Sequence, residues 1–312
     1  MAQENLPKVA LGAWAWGNDG TFGGTLTVES LRPVFDAAMN AGLNLWDTAY
    51  VYGMGQSEKT LGALIRDLPR DSYLISDKFT PQCADPTAEN AVTALYETSA
   101  KLLGTDYMDF YWIHNPMDAP KWTEKLIPLA KSGKIGNIGL SNHSLAEIKE
   151  AAAILEKEGL KISAIQNHYS LLNRSSETSG ILDYCKENGI TFFAYMVLEQ
   201  GALSGKYDTK HPFPEDSDRG RTYNPMLPEL EKLNAALKEI ADRHGVPAAQ
   251  LPVAWAIAKG TLPIIGVTKV NQVEDAVQAA SLELSQDEIR AMETMGDQTG
   301  LNVIRYWEKE MK

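Results

Sequence analysis

What this 312-residue sequence has little of narrows its class before any motif is read. It contains two cysteines, Cys83 and Cys185, too few for a disulfide framework. Lys plus Arg number 29 against 41 for Asp plus Glu, giving a net charge of −12, and basic runs of five or more do not occur. Nucleic-acid binding, which calls for a basic face, is therefore not expected. No uninterrupted run of 18 apolar residues is present, so no membrane-spanning helix is expected. The start, MAQENLPKVALG, has no basic segment leading into a long apolar stretch, so we expect no secretory leader and a cytoplasmic location. HExxH, CxxC and EF-hand patterns are missing, and no metal is expected. Gly53-Met-Gly55-Gln-Ser-Glu58 lacks the third glycine of a dinucleotide fingerprint, and Gly205-Lys206-Tyr207 lacks the hydroxyl of a P-loop.

What is there is alternation. Short apolar runs, β-branched or aromatic, occupy residues 9–14, 43–49, 73–79, 109–114, 137–142, 162–167, 191–198 and 262–268. Runs that are apolar throughout read as strands buried on both faces, as in a parallel sheet. Helical patterns separate them: Val28–Asn40, 87–103 with Thr87 as its capping residue, 145–155, 181–186, Leu227–His244, 247–259 opening on Pro247, and 271–280. Strand starts lie 25 to 36 residues apart, except for a last gap of 71. Eight such units predict a closed (β/α)₈ barrel spanning residues 1–312 as one domain, with an enlarged final crossover. An open doubly wound sheet is the alternative.

In a barrel, polar residues at the C-terminal ends of strands share one face. Here Asp47 ends the second strand, Lys78 the third and His114 the fourth, with Tyr52 in the loop after Asp47. A buried lysine needs a counter-charge, which Asp47 can supply. A lysine near a phenol is expected to lower its pKa from about 10 toward the working range. A tuned phenol is a general acid or base. The plainer reading of Asp47 and Lys78 is a structural ion pair.

The segment 47–58, Asp-Thr-Ala-Tyr-Val-Tyr-Gly-Met-Gly-Gln-Ser-Glu, resembles the aldo-keto reductase signature. The resemblance, to a bacterial-type member, continues through residues 11–17, 139–143, 166–174, 194–207 and 265–275. It implies an NADPH-dependent enzyme, with NADH as the alternative, that reduces an aldehyde or ketone, a sugar-derived one among the candidates. It further implies that Tyr52 donates the proton, that Lys78 paired with Asp47 tunes it, and that His114 polarises the carbonyl. Ser141, Asn142 and Gln166 would hold the carboxamide, Tyr195 would stack on the nicotinamide, and Trp14 and Asp47 would border it. The loop carrying Leu198, Gln200, Gly201, Leu203, Ser204 and Lys206 would cross the pyrophosphate. Gly266, Val267, Thr268 and Lys269, with Gln272 and Asp275 on the next helix, would meet the adenosine phosphates. Gln272 stands where many members of the family carry Arg, and Ala276 where many carry Asn.

Two other functions stay open on the same barrel. One is a non-catalytic, nucleotide-sensing interaction protein, against which the intact tetrad of Asp47, Tyr52, Lys78 and His114 argues. The other is a lyase or isomerase using Lys78 as a Schiff-base residue. Trp14 is expected to line the substrate pocket, Trp112 to pack, Cys83 to be inert, and His143 and His168 to serve as wall or supporting residues. Arg219, Arg221 or Tyr223 are candidates to reach substrate. The segment 302–312, with Arg305, Tyr306 and Trp307, is either pocket wall or packed tail. The substrate and the oligomeric state are left undefined.

Overall fold

In the computed structural model, which describes residues 6–311, eight parallel strands close into a barrel in sequence order. The residues 1–5 of the expected leaderless start, and Lys312, lie outside them. The strands are β1 Ala10–Gly12, β2 Leu45–Asp47, β3 Leu74–Phe79, β4 Met108–Ile113, β5 Ile135–Ser141, β6 Ile162–His168, β7 Thr191–Tyr195 and β8 Leu262–Gly266. Closure is made by β8 on β1, with Ala10 opposite Ile264 and Gly12 opposite Gly266.

Period-two alternation sorts each strand's side chains between two cores. Phe110 and Trp112 of β4 point inward and pack with Ala10, Leu45, Ala164, Phe193 and Leu262, filling the barrel. Tyr111 and Ile113 of the same strand point outward into the larger core beneath the helices. The interior is thus a plugged cylinder rather than a channel, with Trp112 and Phe193 edge to face at 5.0 Å.

The helical layer comprises α1 Val28–Asn40, α2 Gln56–Ile65, α3 Ala91–Leu103, α4 Ala119–Lys131, α5 Leu145–Glu156, α6 Ser175–Thr178 and α7 Ile181–Glu187. It continues with α8 Asp218–Tyr223, α9 Leu227–His244, α10 Gln250–Ala258, α11 Val270–Ala279 and α12 Gln286–Gln298. The long last crossover holds α8, α9 and α10. Two expected helix starts are corrected. Asn90, not Thr87, caps α3, its Oδ1 accepting from the amides of Val92 and Thr93, because Thr87 is held in a turn by Asp85. The helix expected from Pro247 begins at Gln250, whose amide closes a turn on the Pro247 carbonyl.

Candidate active site

The C-terminal ends of β2, β3 and β4 bring Asp47, Lys78 and His114 to one mouth of the barrel, and the loop after β2 adds Tyr52. Lys78 is fully buried. Its Nζ lies 2.5 Å from Asp47 Oδ1, donates to the Thr48 carbonyl at 2.7 Å, and reaches the Tyr52 hydroxyl at 3.3 Å. All three ammonium hydrogens are thereby used. The other oxygen of Asp47 accepts from Ser76 Oγ at 2.6 Å and Gln166 Nε2 at 3.0 Å, and Trp112 Nε1 donates to Ser76 Oγ. His114 stands edge to face against Tyr52 at 5.9 Å, with its Nδ1 2.7 Å from Thr80 Oγ1. Trp14 stacks on Tyr52 at 5.7 Å.

Two electrostatic features define the chemistry. Burial pushes the Tyr52 phenol above its ordinary value, more than Lys78 beside it pulls down. The sequence-based expectation of a lowered phenol pKa is thus overturned: desolvation of the phenolate outweighs one ammonium that Asp47 already neutralises. Tyr52 is a protonated phenol at neutral pH. Burial and the nearby Lys78 both hold the His114 imidazole well below its usual range, so it is neutral. Burial also works against charge on Lys78, but Asp47 and Tyr52 prevail and raise it, keeping the ammonium.

Around this centre the other expected residues are placed unevenly. Asn142, in the left-handed region at φ 65°, donates to the His114 carbonyl at 3.0 Å and accepts from Tyr195 OH at 2.5 Å. The side chains of Ser141, Asn142 and Tyr195 therefore form one connected polar wall, and the Gln166 carbonyl accepts from the Asn142 amide while its side chain turns to Asp47. Gln200 Nε2 in the loop after β7 and Arg219 Nε on α8 are buried without a partner, two orphan donors suited to a bound anion. Leu203 is buried, Ser204 bonds to the Gly201 carbonyl, and Lys206 is exposed beside the Tyr207 ring.

At the end of β8, Gly266 and Lys269 are exposed, but Val267 is buried with its carbonyl taken by Trp16 Nε1. Gln272 Oε1 accepts from the amides of Thr268 and Lys269, so it caps α11 internally. The Asp275 carboxylate is taken by Gln250.

Other side chains settle differently from expectation or were not anticipated. Tyr223 is buried, donating to Glu199 rather than facing substrate, and Arg221 is exposed beside Asp218. Trp112 packs inside the barrel as expected. Burial raises the Cys83 thiol, consistent with an inert residue. Burial holds His143 down at about 4. Ser76 and Thr80, which serve the site, were legible: Ser76 and Lys78 alternate on the inner face of β3, and Thr80 continues the same spacing one residue past its end. The tail does approach the mouth, where Trp307 meets Trp14 edge to face at 5.5 Å.

The Aldo/keto reductase family profile matches residues 8–297. The chain is 29% identical to the chloroplastic pyridoxal reductase of Arabidopsis thaliana, over 98% of this chain and 87% of that one. It is likewise 29% identical to the L-glyceraldehyde 3-phosphate reductase of Escherichia coli K12, covering 88% and 84%. Among solved structures, a glycerol dehydrogenase from Gluconobacter oxydans superposes with a TM-score of 0.82 at 25% identity, over 96% and 94% of the two chains. An aldo-keto reductase from Klebsiella pneumoniae, solved in complex with NADPH, shares the fold with a TM-score of 0.74 at 23% identity, over 98% and 95%. With the barrel, the strand-end cluster and the profile in agreement, the chain belongs to the aldo/keto reductase family.

Proposed function

We propose that the protein reduces the carbonyl of an aldehyde or ketone to an alcohol with NADPH, and that Tyr52 donates the proton. The observation that carries the reading is the Lys78 ammonium bridging Asp47 and the Tyr52 hydroxyl, with neutral His114 alongside. Relatives named as reductases of pyridoxal and of L-glyceraldehyde 3-phosphate support carbonyl chemistry. The orphan donors of Gln200 and Arg219, the polar wall from Ser141 to Tyr195, and exposed Lys269 fit an extended polyanionic cofactor. Bound there, NADPH supplies the hydride.

The protein's own contribution is placement and proton delivery. A Thr80 hydroxyl donating to His114 Nδ1 leaves the imidazole proton on Nε2, free to bond the carbonyl oxygen. Tyr52 delivers its proton to that oxygen as negative charge develops. The Lys78 ammonium then stabilises the phenolate left behind. Charge stays local, because Asp47 fixes Lys78 and Ser76 and Gln166 fix Asp47.

The test is NADPH consumption by the purified protein over a broad panel of aldehydes and ketones, together with Tyr52→Phe. Turnover is expected on part of the panel, with Tyr52→Phe lowering kcat by about 10²–10⁴-fold. A variant that keeps full activity would refute the proton role. Cofactor binding without any turnover would favour a nucleotide sensor. The Schiff-base reading is disfavoured by geometry, since imine formation needs a neutral, accessible amine and Lys78 is a buried, triply bonded ammonium.

A further inference from the structure

The C-terminal tail, residues 301–311, is joined to the loop after β7 by buried charge. Arg305 is only 3% exposed. Its Nη2 donates to Asp218 of α8 at 2.6 Å and its Nη1 to the Gln200 side-chain oxygen at 3.1 Å. Three residues on, Glu308 accepts from the Arg305 amide at 2.9 Å and sits 2.9 Å from His168 Nδ1. The opposite nitrogen of that imidazole lies 2.7 Å from Glu199, which is in the same loop and also accepts from Tyr223 at 2.8 Å. Tail and loop are thus tied at two points, one direct and one through His168 at the end of β6.

Two further observations give this network a purpose. The loop residues it grips, Glu199 and Gln200, both hold left-handed backbone, at φ 47° and 52°. Such conformations persist in non-glycine residues only where the surroundings over-determine them. The Arg305 guanidinium also lies 4.8 Å from the Trp307 ring, which meets Trp14 edge to face, and Trp14 in turn stacks on Tyr52. One arginine therefore touches both the loop bearing the Gln200 orphan donor and the aromatic wall beside the proton donor.

We propose that Arg305 and Glu308 are positioning residues that bolt the tail to the loop after β7, so that cofactor strap and substrate wall move as one body. The strap's role in this statement rests on the function proposed above; the mechanical coupling does not. Opening the strap requires either breaking the Arg305–Asp218 pair or carrying the tail along. Release of NADPH and loss of the Trp307 wall are then linked events.

Hydrogen exchange of the full-length protein without cofactor tests the coupling directly. Arg305→Ala is expected to speed exchange about tenfold in residues 199–223, where no residue has been changed. Asp218→Asn, cutting the same pair from the other side, is expected to do so in residues 301–311. Lys309→Ala removes the tail's ion pair to Glu147 on α5 and is expected to leave 199–223 as in the parent. Exchange rising only in each variant's own segment, or uniformly through the barrel strands, would overturn the proposal. In a second arm, NADPH dissociation followed by stopped-flow fluorescence should quicken about tenfold in Arg305→Ala and stay at the parent rate in Lys309→Ala. Unchanged dissociation would defeat the link to the cofactor. If the parent protein does not bind NADPH, the proposed function fails, while the exchange arm still decides the clasp.

Discussion

Lys78 can serve the site as a charged group because every hydrogen it carries has an acceptor. Desolvation of an unpaired ammonium would neutralise it, so the Asp47 carboxylate and Thr48 carbonyl are conditions of its charge. The same burial acts oppositely on its neighbours, keeping Tyr52 protonated and His114 neutral. With Tyr52 as the proposed acid, carbonyl reduction needs its protonated form, which is present below its raised pKa and lost as pH climbs above it. The pH profile of kcat/KM for reduction should therefore stay flat on the phenol's account through neutrality, with an alkaline limb above 10. A limb near 8 assigned to Tyr52 would contradict the geometry. Thr80 orients His114 through a single 2.7 Å contact, so Thr80→Val should lower kcat/KM about tenfold with little change in melting temperature. Activity equal to the parent would show that packing alone sets the imidazole.

At the scale of elements, what positions Tyr52 is a close approach between two loops. Gly53, at φ +68°, meets Gly17 so tightly that a Cβ there would stand 1.9 Å from the Gly17 carbonyl oxygen. A Cβ on Gly17 would in turn stand 2.5 Å from the Tyr52 carbonyl. The turn after β1 thus buttresses the loop after β2. Gly53→Ala should displace the phenol and cost about 10²-fold in kcat/KM, with the fold retained by circular dichroism. Retained activity would show that the loop relaxes around the added methyl.

The strands were legible because burial on both faces leaves continuous apolar runs, and β1 to β8 fall where those runs predict. Helix starts were less so. Thr87 and Asn90 are both good capping residues, and only the Asp85 turn, set by the chain's path out of β3, decides between them.

For the whole molecule, the acidic balance reaches into the core. Glu58 of α2 and Asp77 of β3 are both fully buried between the barrel and its helices. Burial, with Asp77 nearby, pushes Glu58 up to about 9, and burial pushes Asp77 up to about 6. In the folded chain Glu58 thus keeps its proton where an exposed carboxyl has lost it. A raised acid binds more protons folded than unfolded, so its contribution to stability falls as pH rises from 4.5 toward 9. Glu58→Gln removes that dependence, and thermal melts at pH 9 should rise about 2 °C above the parent, with a smaller difference at pH 5. A parallel pH dependence in both proteins would show that the proton is held elsewhere.

Periodicity, spacing and residue type dictate the barrel and the tetrad Asp47, Tyr52, Lys78 and His114. Both depend on local order: which residues alternate along a strand, and which ones end it. Contacts between residues far apart in the chain depend on how the barrel closes and how its loops lie over the mouth. Tertiary packing alone therefore decided that Tyr52 is desolvated more than it is tuned, that Gln272 caps its own helix, and that Arg305 reaches back 87 positions to Asp218. A strand end can be read from its neighbours in sequence. A pKa or a clasp belongs to neighbours in space.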